Sequence, residues 1–452
     1  MASASVQQRR FSSALTAAPP RRLFPAWLSQ EWFFWLIFAS WTILPSTSTP
    51  WWEIAGIEIK SVDALTIVFC LLYAVPRIAS PSNRLPRGWH LWLPFSLIAL
   101  AAWGMVSTSW SGAGPRNNLA MGYCMALTAA SGILAYLVIS SVSDVRGFLW
   151  RLVVALSCVC ALYTAQSVLG LGLRDAAAVT LNDFGMERVR GPLFEASTGY
   201  FLLIPAMAFA LQETLARRVK PIFGVLCVFC LALTTIGLGS RAGMMLFGLF
   251  ILSCVWAAKG LTKITVLVIV LLIGGAAATV IFSKAKADRL ENQARGPDGR
   301  TMMHEAVANI MSDRSPAQLL VGSGLGSWWP WYLTETEGGD LYTSGRYVRY
   351  TRYGILLYHP HSTILDLVVE LGLPGLLFLL FLAAALWTAL RRAMRSDENK
   401  ILAAGILVSL ASIAFDLFLV RRPTRDGVWW LFVFGLLALV AKGIQGRRRV
   451  YP

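Results

Sequence analysis

Two histidines stand almost side by side in this sequence of 452 residues, at His359 and His361, just before a long apolar segment. Ser362 follows, and serine is a preferred residue at the amino terminus of a helix. A histidine there meets the positive end of the helix dipole, which lowers its pKa and keeps the imidazole neutral near pH 7. The same helix end attracts phosphate. A neutral base beside an anion site would serve transfer of a glycosyl group from a phosphate leaving group.

The spacing of these two histidines also suggests zinc, but no third or fourth ligand clusters near them in the sequence. We therefore predict no metal and no other cofactor. A further candidate is His304, which follows Arg300 by four residues and shares a helical face with it.

Several arginines border apolar segments on the side that we predict to face away from the cytoplasm. Arg241 interrupts an apolar stretch, 221–256, which is too long for one membrane helix, so the chain must turn close to it. An arginine inside a membrane costs about 2.5–3.5 kcal/mol on insertion scales, and less near the surface. Arg241 is therefore either a turn residue whose side chain reaches the interface or a contact for an anion. The others on this side include Arg190, Arg421 and Arg422.

Two acidic residues follow on the helix that Ser362 would begin. Asp366 and Glu370 lie four and eight residues after Ser362, and therefore on one helical face. Acidic side chains inside a membrane helix are costly and are normally paired. We expect Asp366 to form a structural ion pair, with Arg421 and Arg422 as its candidate partners.

The composition indicates which solvent surrounds these residues. Hydrophobic residues make up 56% of the chain and charged residues only 14%, and the mean hydropathy is +0.60. Soluble domains carry about 25% charged residues, whereas lipid accepts this much apolar surface. The net charge of +16 is not gathered into a basic tail, so we expect no nucleic acid partner. The sequence predicts an all-α polytopic membrane protein.

Apolar segments long enough to cross about 30 Å of hydrocarbon occur about twelve times. They predict a disordered cytoplasmic tail over 1–31, nine transmembrane helices over 32–282, a large partly helical loop over 283–361, three transmembrane helices over 362–443 and a cytoplasmic tail over 444–452. Gly372, Pro374 and Gly375 would allow a kink near the start of the first of these last three helices. The excess of Lys and Arg in the short loops places both termini in the cytoplasm and the large loop on the opposite side.

The large loop has helical spacing of apolar residues between Asp298 and Met311, which predicts a helix that Asp298 begins. The stretch from Gly322 to Gly326 lacks the spacing of a dinucleotide-binding loop, and we interpret it as a flexible turn. Trp328, Trp329 and Trp331 suit either a membrane interface or a stacking surface for sugar rings. The seven cysteines all lie in apolar segments, and we interpret them as small packing residues, including the C-x-x-C pair Cys227 and Cys230.

The histidine segment carries a resemblance to a known family. His361-Ser362, nine residues, Gly372, two residues and Gly375 resemble the signature of the O-antigen ligase and polysaccharide polymerase family, which has His, then Asn, Ser or Gln, nine residues, Gly, two residues, and Gly, Thr or Tyr. The Arg190-Gly191 and Ser240-Arg241 turns, Arg300 and the glycine stretch are similar as well. The likeness covers roughly residues 180–440. It departs from the family at 195–197, where Glu-Ala-Ser replaces a frequent Pro-Asn.

The resemblance implies an enzyme of the bacterial inner membrane that uses an undecaprenyl-pyrophosphate-linked glycan at the periplasmic face, without a metal or a nucleotide sugar. By position, His361 would activate the acceptor hydroxyl, and Arg241 and Arg300 would hold the pyrophosphate, with Arg190 as a weaker third. Secondary candidates are His304, Ser362, Asp366, Arg421 and Arg422.

Three functions remain open from the sequence. The first is a polymerase of exopolysaccharide or O-antigen, whose acceptor is a glycan on a second lipid carrier. The second is an O-antigen ligase, whose acceptor is lipid A-core. Both would work within the lipid bilayer, alongside export or chain-length proteins. The third is a polysaccharide transporter or flippase, which would predict inverted repeats that this sequence does not show.

Overall fold

The computed structural model describes residues 30–43, 52–54, 57–59, 61–79, 92–111, 115–169, 199–238, 240–257, 299–327, 348–351, 353–357, 362–414 and 423–450. Helices dominate this part of the chain, as the composition predicts. They are α1 (Gln30–Ile43), α2 (Ser61–Ala79), α3 (Trp92–Ser107), α4 (Pro115–Ser141), α5 (Val145–Leu169), α6 (Tyr200–Leu215), α7 (Pro221–Gly237), α8 (Arg241–Ala257), α9 (Gly299–Ser312), α10 (Pro316–Val321), α11 (Thr363–Leu371), α12 (Leu373–Met394), α13 (Lys400–Ala411) and α14 (Pro423–Val450).

Two short hairpins add β structure that the all-α prediction does not contain. Strand β1 (Trp52–Ile54) pairs antiparallel with β2 (Ile57–Ile59), and β3 (Val348–Thr351) pairs antiparallel with β4 (Gly354–Leu357). Strands of three or four residues are too short to show a reliable two-residue period in the sequence. The second hairpin belongs to the large loop and helps to position the candidate site.

Among the described residues, four helical segments are long and apolar enough to cross a membrane: Trp92–Trp110, Met121–Ser141, Val145–Ser167 and Leu373–Met394. Shorter apolar helices of 10–17 residues accompany them, and they include α6, α7 and most of α8. One of the predicted spans, 263–282, lies outside the described residues, and each of the others overlaps a described helix. The count of twelve spans stays a prediction.

One predicted span is wrong as a single helix. The segment 362–390 forms two helices, α11 and α12, which are separated at Gly372. Gly372 has a φ of 64°, a left-handed conformation that glycine adopts without the strain of a Cβ. A Cβ at Gly375 would lie 2.4 Å from the carbonyl oxygen of Leu367, so the start of α12 packs directly on α11. The kink that these glycines suggest is therefore a complete break.

Helix α6 occupies the interior of the bundle. All its residues from Tyr200 to Glu213 are buried, as expected for a helix that is apolar all round. It packs against α13, α7, α14 and α5. The ring of Phe201 stacks on Trp429 of α14 at 4.8 Å, and the indole nitrogen of Trp429 donates to Ser409 Oγ of α13 at 2.9 Å. This group ties the three helices together at one end of α6.

The other end of α6 carries a network of charges, and we call it the basic end. Arg146 contacts Glu213 at 2.5 Å and Arg218 contacts the same carboxylate at 3.3 Å. Both arginines also lie 3.5 Å from Glu398, in the turn before α13. Helix α13 starts beside this turn and runs to a 3₁₀ turn, Ser412–Ala414, that packs on α11. We call this opposite end the α11 end.

Candidate functional site

Helix α11 begins at the residue type that the sequence predicts. Ser362 is the amino-terminal cap, with extended backbone angles of −159° and 120°, and its Oγ accepts a hydrogen bond from the Leu365 amide at 3.3 Å. The carbonyl of Ser362 accepts the first helical bond from the Asp366 amide at 3.0 Å. The prediction that Ser362 caps a helix is confirmed, and the positive end of the helix dipole therefore points toward the chain that precedes it.

The end of α11 is held by the loop 322–327, which we call the glycine loop. The amide and hydroxyl of Ser323 donate to the Val369 carbonyl at 3.1 and 3.0 Å, and the Gly324 amide donates to the Glu370 carbonyl at 2.9 Å. Gly322, Gly324 and Gly326 all have positive φ, from 77° to 94°. Our interpretation of a flexible turn is wrong here, because the loop is fixed by hydrogen bonds.

Two side chains complete the satisfaction of the carbonyl groups at the end of α11. Arg314 Nη1 donates to the Val369 carbonyl at 2.8 Å, and the indole nitrogen of Trp103, in α3, donates to the Leu371 carbonyl at 3.1 Å. The Val368 carbonyl accepts from the amide of Gly372 at 3.1 Å. The last four carbonyls of a helix have no partner within the helix, and at the end of α11 each of them has one.

The two acidic side chains of α11 are buried, each with 1% exposure. One carboxylate oxygen of Glu370 accepts from the Gly326 amide at 3.0 Å. The sequence predicts an ion pair for Asp366 with Arg421 or Arg422, and these arginines lie outside the described residues. Glu370 therefore acts at least in part as an anchor for the glycine loop.

Arg314 is a residue of this unit that the sequence does not single out. Burial of its guanidinium lowers its pKa, and the nearby carboxylate of Glu370 acts in the opposite direction. An arginine keeps its charge in either case. Arg314 follows α9 by two residues, so it links the end of α9 to the end of α11.

A small apolar cluster joins α9 to α11. Met303, Ala306, Val307 and Ile310 of α9 are buried together with Val369 of α11, and Met311, Leu365 and Tyr353 pack on them. These positions have the helical spacing that predicts an amphipathic helix between Asp298 and Met311, and α9 runs over Gly299–Ser312. The predicted helix is confirmed, and Asp298, its predicted start, lies outside the described residues. His304 is exposed on the other face of α9.

Contacts of the second hairpin and of Arg314 show the relative direction of α9 and α11. Near the end of α9, Asn309 donates to the Tyr353 carbonyl and the Tyr353 hydroxyl donates to Asp313, both at 3.1 Å. Strand β4 starts next to Tyr353 and packs along α9. Strand β4 therefore runs antiparallel to α9. Helix α11 ends beside Arg314, just after the end of α9, so α11 runs in the same direction as α9. The amino-terminal ends of α9 and α11 therefore lie on the same side.

Arg300 and Ser362 mark these two amino-terminal ends. Arg300 lies in the first turn of α9, and the structure describes its backbone position. Ser362 directly follows His361, which lies outside the described residues together with Arg190, Arg421 and Arg422.

Arg241 lies at the α11 end of the bundle. Ser240 precedes it, and Ser240 Oγ accepts from the Gly243 amide at 3.2 Å, so α8 begins at Arg241. A Cβ at Gly243 would lie 2.7 Å from the ring of Tyr200, which places the first turn of α8 against the first turn of α6. That end of α6 is the one where Phe201 meets Trp429. The turn that the sequence predicts at Ser240-Arg241 is therefore confirmed, and the structure describes the backbone position of Arg241.

Within the described part of the chain, no group of three or more His, Cys, Asp or Glu side chains could hold a metal ion. The candidate zinc pair, His359 and His361, lies outside that part.

The comparison with known families agrees with the resemblance stated above. Residues 226–380 match the family model described as O-antigen ligase. The resemblance to this family is therefore confirmed for that segment. The segment contains the first turn of α8, all of α9, the glycine loop and α11. No curated protein matches the chain.

Proposed function

We propose that this chain is a membrane glycosyltransferase that polymerises lipid-linked glycan units. The donor would be a glycan on undecaprenyl pyrophosphate, and the acceptor a hydroxyl group of a second lipid-linked glycan. One observation carries the proposal: the amino-terminal ends of α9 and α11 lie on the same side. Both helices belong to the segment that matches the O-antigen ligase family model. Two helix amino termini on one side attract an anion.

The proposed reaction moves one glycosyl group. The acceptor oxygen forms a bond to the anomeric carbon of the donor while the bond from that carbon to the pyrophosphate oxygen breaks. The proton of the acceptor hydroxyl passes to the imidazole of His361, and undecaprenyl pyrophosphate leaves with the bonding electrons. A neutral imidazole next to the capped start of α11 suits this role because the helix dipole disfavours its protonated form.

Arg241 and Arg300 are the proposed ligands of the pyrophosphate, with Arg190 as a third. A guanidinium can donate two parallel hydrogen bonds to phosphate oxygens, and it stabilises negative charge that grows on the leaving group. Arg241 opens α8 and Arg300 opens α9, so a bound diphosphate would also meet the amide groups of helix first turns. His304, four residues after Arg300 and exposed, could join them.

The assignment of His361 is tested by His361→Ala in purified protein given a lipid-linked donor and acceptor. We expect loss of transfer with normal expression and an unchanged melting temperature. His90→Ala is the matched control, because His90 lies outside the segment 226–380 that matches the family model. Transfer retained by His361→Ala would remove the base assignment. Transfer should persist in excess EDTA, and its loss would favour the zinc alternative.

The assignment of the arginines is tested by Arg241→Lys and Arg300→Lys. Lysine keeps the charge but loses the planar fork, so we expect the KM for the donor to rise roughly tenfold, which corresponds to about 1.4 kcal/mol. The corresponding Ala variants should lose more. An unchanged KM for the donor in the Ala variants would contradict the assignment.

An O-antigen ligase is the second candidate, and the description of the matched family favours it. Polymerase and ligase share the donor and the chemistry and differ in the acceptor. Transfer to lipid A-core, without transfer to a lipid-linked glycan, would select the ligase. Movement of lipid-linked glycan from one leaflet of a vesicle membrane to the other, without any glycosyl transfer, would select the flippase.

A further inference from the structure

A groove opens between α5 and α7 at the basic end of the bundle, with a volume of 510 Å³. Small side chains on both helices leave this space unfilled. Those that line the groove are Ser157, Cys158, Ala161, Cys227 and Cys230. The C-x-x-C pair of α7 is therefore part of a groove wall, in addition to the packing role that its residue type predicts.

The groove has the length of one membrane leaflet. Helices α5 and α7 both start at the basic end, and Thr164 and Thr234 bond to each other at 2.9 Å farther along. The lining runs from Trp150 to Ala161 on α5, which is about 16 Å at the rise of an α-helix. A membrane has about 30 Å of hydrocarbon, so the groove reaches from one surface to the middle.

The groove combines an apolar body with a cation at its mouth. Of the described residues that line it, Lys220 alone carries a charge, and it lies at the amino-terminal cap of α7. Trp150 and Phe223 line the same end, and tryptophan is enriched at the surface level of membranes. A basic side chain at that level attracts anionic lipid headgroups.

We propose that this groove binds one anionic phospholipid from the leaflet at the basic end. One acyl chain would lie along the groove past Cys158 and Cys227, and the phosphate would meet the ammonium group of Lys220. The proposal does not rest on the glycosyltransferase assignment. The groove lies at the opposite end of the bundle from α11, so it is separate from the proposed donor site.

Native mass spectrometry of the purified full chain tests this proposal, with dioleoyl-phosphatidylglycerol or dioleoyl-phosphatidylcholine added in detergent. We expect one phosphatidylglycerol to remain bound, with a preference of at least fivefold over phosphatidylcholine. Lys220→Gln should abolish the preference, and Ala161→Trp should reduce binding of both lipids by filling the groove. Leu252→Trp is the matched control, because Leu252 is 66% exposed on α8, away from the groove.

A second measurement locates the lipid without any variant. Cys158 lines the groove and is exposed, so bound phosphatidylglycerol should slow its alkylation by N-ethylmaleimide at least threefold. Equal binding of the two lipids, with alkylation of Cys158 unaffected, would leave only ordinary boundary lipid and overturn the proposal. Protection of Cys158 by undecaprenyl phosphate but not by phosphatidylglycerol would also overturn it.

Discussion

At the scale of single residues, Ser362 supports the site through one hydroxyl oxygen. That oxygen accepts from the Leu365 amide, and loss of such a cap costs about 1 kcal/mol. We expect Ser362→Ala to lower the melting temperature and the transfer rate, because the first turn of α11 frays. Ser362→Asn keeps a side-chain acceptor and should restore both quantities. Differential scanning fluorimetry and a transfer assay on the same preparations would check this.

The Asn variant decides what Ser362 does. If Asn fails to restore transfer although it restores the melting temperature, the serine hydroxyl has a chemical role beyond capping the helix.

Residue types predict the start of α11 much better than its end. Serine before an apolar segment is a local signal, and Ser362 is the cap that the sequence predicts. The partner of Glu370 is an amide 44 residues earlier in the chain, and Arg314 reaches a carbonyl 55 residues later. No periodicity within a helix reports contacts of this kind, so the sequence predicts an ion pair for Asp366 and does not show that the glycine loop contacts the end of α11.

At the scale of elements, the conformation of the glycine loop requires a glycine at position 322 for two reasons. Its φ is 77°, and a Cβ there would lie 2.2 Å from the carbonyl oxygen of Glu370. We expect Gly322→Ala to destabilise the protein by about 3 kcal/mol, since it combines backbone strain with a clash against the backbone. The end of α11 would shift, so the transfer rate should fall as well.

Gly248→Ala is the matched control for this substitution. Gly248 lies inside α8, and a Cβ there meets no atom within 4 Å. Alanine favours a helix interior over glycine by about 1 kcal/mol, so this variant should be as stable as the parent or slightly more stable. Equal melting temperatures for both variants would show that the loop yields easily and does not hold α11.

The break between α11 and α12 shows where hydropathy stops being informative. The segment 362–390 is apolar enough for one span, and an average over a window does not register the φ of one residue. Gly372, Pro374 and Gly375 signal a bend, but the direction of the chain after Gly372 depends on its contact with the glycine loop. A Cβ at Gly372 would lie 2.4 Å from the amide nitrogen of Gly322. Only the folded structure contains that contact.

At the scale of the whole molecule, the network of charged side chains and the candidate site lie at opposite ends of the bundle. The basic end buries Glu213 between Arg146 and Arg218. Lys220, at the start of α7, and Arg391, in the last turn of α12, lie at the same end of the bundle. The α11 end carries the capped helix starts and the glycine loop. The distribution of Lys and Arg predicts this polarity from the sequence, because it depends on composition along the chain. The packing of α6 against α13 and α14 depends on shape, which the order of residue types does not reveal.

The orientation of this bundle can be tested by labelling one residue at each end. In a background with the seven native cysteines replaced by alanine, Ala317→Cys marks the exposed start of α10, near the glycine loop. Asp397→Cys marks the turn before α13 at the basic end, where the Asp397 side chain is 72% exposed. Lysine and arginine are enriched in cytoplasmic loops, so a membrane-impermeant maleimide should label the Ala317→Cys variant in intact cells with a permeabilised outer membrane. It should label the Asp397→Cys variant only after lysis. The reverse pattern would put the start of α11 in the cytoplasm, where a donor presented at the periplasmic face could not reach it, and the proposed reaction would fail with it.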